Sequence, residues 1–538
     1  MKWMCLTRQM PIGSLMKMKA SVLLIFVHLY ALCASEEHPR IKRSINEVDA
    51  AEYDQEFWLG KGQDILLRHL VNRPNLNIAK NVIFFIGDGM SLQTITAARI
   101  YKEQKLGERG EEGELSFEEF PYTGLAKTYC VDSQVGDSAC TATAYLGGVK
   151  GNEGTIGVSA AVGRMDCLGM RNESNHVLSL AKWAQDAGKS TGLVTTTRVT
   201  HASPAGLYAH VSERGWEEDG AVSSDGFNSV DCPDIAQQLI FNNPGKNINV
   251  IMGGGRRNFF PYDKTDSQGH KGRRRDGQNL IELWKLDKIK KNASYAYVTN
   301  RSELLSLKFS PQYLLGLFSP SHMEYHLEEK TNEPTLEEMT VAAIKHLQKN
   351  PRGYFLFVEG GKIDLAHHEN MARKALDETV EFSKAVAAAV RASDERDTLI
   401  VVTADHAHVM TMNGYPRRGN DILGLAGEAP DGLPYSTLSY ANGPGSIRPD
   451  GSNRRQNLRQ FNLYDKSFKY PSMVPLPIET HGGDDVVVYA RGPWSHLFSG
   501  AYEQNFIPHA VGYAACLGKG MTACYTPIRG DRKPIFRA

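Results

Sequence analysis

Residues 81–91 read NVIFFIGDGMS. Five apolar side chains in a row, Val82 to Ile86, run into Gly87 and stop at Asp88. A strand with one wet face alternates apolar and polar residues, whereas an unbroken apolar run suits a strand covered on both faces. Five more runs share this form: STGLVTTTRVTHAS (190–203), INVIMGGG (248–255), RGYFLFVEGGKID (352–364), DTLIVVTADHAH (397–408) and DDVVVYARGP (484–493). Amphipathic stretches lie between them, such as LEEMTVAAIKHLQKN (336–350) and ARKALDETVEFSKAVAAAVRAS (372–393). This alternation predicts an α/β fold, a doubly wound, mostly parallel central sheet with helices on both faces.

The ends of these runs carry the chemistry. The first stops at Asp88, the second meets His201 and Ser203, the fourth reaches Glu359 and Asp364, and the fifth reaches Asp405 and His406. One aspartate after a strand is ordinarily a turn or a helix cap. Four such ends, each bearing metal-ligand groups, predict one site beyond the carboxyl edge of the sheet, where open α/β sheets bind ligands. Asp364 and His368 are four apart in DLAHHE (364–369), so on a helix they face the same side and suit a shared metal, while His367 points elsewhere. Asp405 and His406 suit a second ion, and His481 in ETHGGDD (479–485) supplies a third ligand for the first. Histidine with carboxylate favours zinc. Asp88, Glu359 and the Ser203 hydroxyl form an all-oxygen set that favours magnesium.

VGDSACTATAY (135–145) offers two nucleophiles, Ser138 and Cys140, and its Gly-Asp-Ser has the look of a secreted serine protease. The Gly-Gly that follows such a serine and the Ala-Ala-His-Cys around its base are both missing. The Cys-x-Pro-x-Arg run of sulfatases is missing too. DSACTATAYL reads instead as a helix starting at Ser138, whose first amides favour an anion.

The 538 residues carry 61 basic and 61 acidic side chains, a formal net charge of zero, which argues against a nucleic-acid partner or a polybasic membrane arm. Basic residues up to Lys19 precede ASVLLIFVHLYALCAS (20–35), the shape of a secretory signal peptide over 1–34, with an anchoring helix as the alternative. RIKRS (40–44) is either a processing site, leaving 35–43 as a pro-segment, or a solvated basic linker. The remaining 44–538 is expected to form a single catalytic domain. Secretion makes disulfides expected among Cys130, Cys140, Cys167, Cys232, Cys516 and Cys524, none of which has zinc-finger spacing. Sequons at Asn172, Asn292 and Asn300 favour glycosylation. MTACYTPIRGDRKPIFRA (521–538) has no hydrophobic tail of the kind a lipid anchor needs, and no transmembrane helix is expected, so a soluble extracellular form is expected.

FFIGDGM, DSACTATAYLGGVKGN, TTTRVTHASPAGLYAH, GYFLFVEGGKID, TADHAHV and THGGDDV, in this order from about residue 50 to about 525, resemble the successive motifs of the alkaline phosphatases, above all the animal members. The resemblance implies a metal-dependent phosphomonoester hydrolase, usually a homodimer, with two zinc ions and one magnesium ion per subunit. It implies Ser138 as nucleophile and Arg214 as the phosphate clamp. It gives one zinc to Asp364, His368 and His481, the other to Asp88, Asp405 and His406, and magnesium to Asp88, Ser203 and Glu359. His201 and His408 fall at positions that back up these ligands. Disulfides Cys167–Cys232 and Cys516–Cys524 are implied, which leaves Cys130 and Cys140 over. Cys140 then reads first as a small buried residue and second as a bridge to Cys130.

This chain departs from the family pattern at Cys140, where glycine is usual, at Leu365 and at Ser319. Leu365 replaces a histidine or lysine near the magnesium shell. At the vertebrate calcium site Ser319 stands in place of a glutamate, though Glu333 fits the second acid, so calcium is left uncommitted. The stretch 413–478 matches the variable insertion that caps the dimer, and no ligand is assigned to it.

Overall fold

Strand β1 (Asn81–Gly87) shows why the first apolar run has no polar member. Val82 through Ile86 are all 0 % exposed. Phe84 meets Tyr145 of the helix Ser138–Gly147 at 5.9 Å between ring centroids, while Phe85 meets Phe382 of the helix Ala372–Ala392 at 5.7 Å. Successive side chains on a strand point to opposite faces, so each face of β1 is roofed by a different helix. The other five apolar runs are strands as well: β3 (Ser190–Arg198), β4 (Val250–Gly254), β7 (Tyr354–Gly360), β8 (Thr398–Ala404) and the strand Val486–Arg491.

The computed structural model describes residues 50–266, 268–308, 311–328, 332–446 and 455–524. The expected signal peptide, pro-segment and C-terminal tail beyond 524 lie outside the described residues. Four further strands complete a ten-stranded sheet: β2 (Tyr122–Lys127), β5 (Tyr295–Val298), β6 (Tyr313–Leu317) and Gly500–Glu503. From one edge the order is Gly500–Glu503, β2, Val486–Arg491, β8, β1, β7, β3, β4, β6, β5. Every pairing is parallel except those of Val486–Arg491, which runs antiparallel to both β2 and β8.

The register sets the site. Gly87 of β1 pairs with Gly360 of β7 and with Ala404 of β8, and Thr195 of β3 pairs with Glu359 of β7. Asp88, Glu359 and Asp405 therefore leave the middle of the sheet at one level. Short turns then start helices at Ala202 and Lys362 on the same edge, and a longer segment after β2 leads into the helix at Ser138.

The chain divides into two units, Met1–Gln63 with Tyr415–Arg417 and Asp64–Gly414 with Arg418–Ala538, and the site lies within the second. The stretch 413–478 contributes to two small sheets. One joins Met410–Met412, Leu438–Gly443 and Ser472–Pro475, and the other joins Leu425–Glu428 to Pro434–Ser436.

Phe84→Ala should lower the stability of the metal-free chain by about 3–5 kcal/mol, the usual cost of emptying a closed aromatic position. Urea denaturation followed by tryptophan fluorescence reads this, and a loss below about 1 kcal/mol would contradict close packing on the Phe84 face of β1.

Candidate active site

The helix Ser138–Gly147 is capped by Asp137, whose Oδ1 accepts the Cys140 and Gly154 N–H groups, each at 3.1 Å. Its other oxygen, Oδ2, accepts from Arg214 Nη1 at 2.8 Å. Burial works to raise the Asp137 pKa, but the Arg214 guanidinium and the two backbone donors outweigh it and hold the carboxyl below its usual range. Asp137 is thus a brace between the helix start and Arg214. Ser138 follows it, 1 % exposed, with Oγ 3.2 Å from His406 Nε2. Cys140, one turn in, is disulfide-bonded to Cys130, so the bridge holds and the reading of Cys140 as an unpaired small residue does not. Cys167–Cys232 and Cys516–Cys524 are also bonded.

Around Ser138 the structure gathers the sequence candidates into three groups. In the first, Asp88, Asp405 and His406 bring ligand atoms within 4.8 Å of one another. His406 Nε2 is 3.2 Å from Asp405 Oδ2 and 3.6 Å from Asp88 Oδ1. Asp405 Oδ1 is held by the N–H groups of Gly89 and His406, each at 2.9 Å. Gly89 has φ +66°, and a Cβ there would stand 2.3 Å from the His408 ring, so glycine is required for both backbone shape and space.

The second group joins Asp364, His368, His408 and His481. His368 Nδ1 is 2.6 Å from the Glu479 carbonyl, and His481 Nδ1 is 3.0 Å from the Gly136 carbonyl. A carbonyl only accepts, so both Nδ1 atoms carry protons, and in the neutral ring each Nε2 then keeps a lone pair. Those two Nε2 atoms lie 3.3 Å apart and 3.3 and 3.5 Å from Asp364 Oδ1. Burial presses the Asp364 pKa upward, but the surrounding imidazoles of His368, His408 and His481 take it well below the usual range.

In the third group Asp88 and Glu359 stand with His201. Thr195 and Thr197 hydroxyls donate to Glu359 Oε2. Ser203 is fully buried on the helix Ala202–Ala205, which follows β3 directly. His201 Nε2 lies 3.4 Å from Arg214 Nη2.

The oxygens left over are the telling feature. Both carboxylate oxygens of Asp88, Asp405 Oδ2, Glu359 Oε1 and Ser203 Oγ are buried without a hydrogen-bond partner. A buried anion without a partner is costly. Burial first, and then the charges of Asp405, Asp364 and Glu359, push the Asp88 pKa well up; burial above all lifts Glu359 to about 7. Hard, closely set oxygens of this kind fit divalent cations, and two free imidazole lone pairs beside a carboxylate fit zinc.

Every sequence-predicted ligand therefore reaches this edge of the sheet. His367 is elsewhere, as expected, bonded to Thr94 and Tyr440. Leu365 is half-buried on the helix Lys362–His368. Ser319 is buried, and Glu333 accepts the Glu324 N–H at 2.9 Å. Sequence reasoning missed Glu479, two residues before His481 in the same motif, whose carboxylate is 2.5 Å from His408 Nδ1.

The fold and this cation-seeking centre define a metal-dependent α/β enzyme. A family model described as alkaline phosphatase matches residues 79–517. The chain belongs to the alkaline phosphatase family, and it is a phosphomonoester hydrolase. It is 50 % identical over 482 residues to the membrane-bound alkaline phosphatase of Bombyx mori, covering 88 % of each chain. It is 46 % identical over 487 residues to the tissue-nonspecific isozyme of Homo sapiens, covering 89 % of this chain and 91 % of that one. Among solved structures, Thermus thermophilus alkaline phosphatase aligns with a TM-score of 0.58 at 23 % identity, over 84 % of this chain and 95 % of that chain. A variant of TAB5 alkaline phosphatase with Mg bound in its M3 site aligns at 0.56 and 24 % identity, over 82 % of this chain and all of that chain.

With metal stripped by chelator, the raised Glu359 carboxyl should make folding stability fall as pH rises from about 4.5 to about 7. The sign follows because the folded state binds the proton more tightly than the unfolded one, and this advantage is lost above the folded pKa. Thermal melts across that window in chelator should show the fall, and divalent cation should remove it; a flat profile in chelator would contradict the buried, partnerless oxygen.

Proposed function

We propose that this hydrolase works through a phosphoserine on Ser138, with two zinc ions and one magnesium ion per subunit. The observation that carries the reading is the set of partnerless buried oxygens beside Ser138 and Arg214. Asp364, His368 and His481 would hold one zinc; Asp88, Asp405 and His406 the other; Asp88, Ser203 and Glu359 the magnesium. When bound, these ions supply positive charge that acidifies the serine hydroxyl and water and neutralises phosphoryl and leaving-group oxygens.

The chain's own groups do the positioning. Arg214, braced by Asp137, presents a planar fork to two phosphoryl oxygens, which lysine cannot match. The first amides of the helix Ser138–Gly147 add partial positive charge where the phosphoryl group sits. Ser138 Oγ attacks phosphorus, the bond from phosphorus to the alcohol oxygen breaks as the new P–O bond forms, and the proton given up by Oγ is balanced by the one the departing alcohol takes from water. Water then cleaves the Oγ–P bond, releases phosphate and restores the serine. Only the phosphoryl group is gripped on all sides, which supports a broad range of phosphomonoesters.

The reading extends to a secreted, glycosylated homodimer. No described helix is long and apolar enough to cross a membrane, while the Bombyx mori relative is named membrane-bound. Asn172 and Asn292 are exposed, and Asn300 is half-buried, its side chain capping the helix Arg301–Leu305. The helix Gln55–Val71 buries none of its residues and exposes Trp58, Leu59, Leu66, Leu67, Leu70 and Val71, an apolar surface that supports a second copy as its cover.

Ser138→Ala should lower kcat on p-nitrophenyl phosphate by roughly a thousandfold or more, as removal of a nucleophile does. Substantial turnover by a metal-loaded variant would remove Ser138 from the role. Arg214→Ala should raise KM and weaken inhibition by phosphate about 10–100-fold, the worth of a charge-assisted hydrogen bond; unchanged phosphate inhibition would refute the clamp. Chelation should abolish turnover and added zinc with magnesium restore it, whereas activity that survives EDTA would overturn the metal centre.

A further inference from the structure

Glu479 is 1 % exposed and grips the histidine cluster with both its backbone and its side chain. Its N–H donates to the His368 carbonyl at 2.9 Å, and its own carbonyl faces His368 Nδ1 at 2.6 Å. One side-chain oxygen, Oε1, accepts the Val409 N–H at 2.9 Å, which fixes the carboxylate against the main chain. The other, Oε2, meets His408 Nδ1 at 2.5 Å. His408 Nε2 in turn meets Asp364 Oδ1 at 2.7 Å. The segment is also tied by backbone pairing, with His481 opposite His408 and Gly482 opposite Ala407.

The consequence concerns which groups are left to hold a cation. His408 stands among Asp364, His368 and His481 with ligand atoms within 4.8 Å, so distance alone makes it a fourth ligand. Each of its ring nitrogens, however, faces a carboxylate oxygen, Glu479 on one side and Asp364 on the other. His368 and His481 differ, because each has its Nδ1 on a carbonyl and its Nε2 turned to the cluster.

We propose that Glu479 is a positioning residue whose carboxylate holds His408 as a donor to Asp364, so that His408 orients that ligand and does not compete as one. The inference rests on the metal-centre reading above. Outer partners of metal ligands commonly contribute about 10–100-fold to metal affinity or activity.

The test is Glu479→Ala in the full chain, which removes both side-chain bonds and keeps both backbone bonds to His368. Zinc affinity is measured by competition with a chromogenic chelator, and cobalt(II) is substituted to read coordination from its electronic spectrum. One of the two zinc classes should weaken by about 10–100-fold while the other is unchanged, and the cobalt bands should shift as His408 is released. His408→Gln is the second variant and should weaken the same class. The double variant should lose little more than either single one, because both act through one chain of bonds.

Wild-type zinc binding with Glu479→Ala unaffected in affinity and spectrum would overturn this inference alone. Losses that add in the double variant would overturn it too. A wild-type chain that binds no zinc would overturn both this inference and the reading beneath it.

Discussion

Four carboxylates, Asp88, Glu359, Asp364 and Asp405, are buried together at the centre of one sheet edge, and the rest of the structure answers to their mutual repulsion. Their assembly follows from parallel register. β8, β1, β7 and β3 are neighbours and all run the same way, so residues just past their ends meet. The apolar runs give the strands two covered faces, and covered strands do not slip, because each shift of one residue would turn aromatic side chains into the wrong layer. Rigidity in the core is what makes crowding of like charge tolerable at the rim.

The compensation is divided unevenly. Around Asp364 the protein supplies imidazoles, and that carboxyl is acidic even without an ion. Around Asp88 it supplies almost nothing, and that carboxyl resists ionisation. A centre finished on one side and deficient on the other binds cations because the fold has left the charge incomplete there. Arg214 is in direct contact with the Asp137 brace, and in the proposed reading it serves the incoming anion.

Much of this was legible in the sequence. Unbroken apolar runs marked six strands, and their polar ends marked nearly every ligand, because a strand and the turn after it are local features. What stayed hidden depends on tertiary context. β2 alternates buried and exposed residues, and β5, β6 and Gly500–Glu503 span four or five residues each, too short to stand out. Spacing alone did not decide between a bridged and an unpaired Cys140, since pairing depends on how a loop folds back. His408 was placed behind the ligands, yet the structure sets it among them and then occupies both its nitrogens. That distinction needs Glu479, whose part no pattern within ETHGGDD reveals.

The Cys130–Cys140 bridge ties the site to the cell's thiol balance. It links residues at a sequence separation of 10, with Asp137 and Ser138 between them, and joins the first turn of the helix Ser138–Gly147 to the segment before it. In a reducing compartment this cross-link would open, and the helix start would be held by the Asp137 cap alone. The bridge is therefore one of the constraints that set the serine in place, and a chain matured in the cytosol would carry the same residues with one fewer constraint on them.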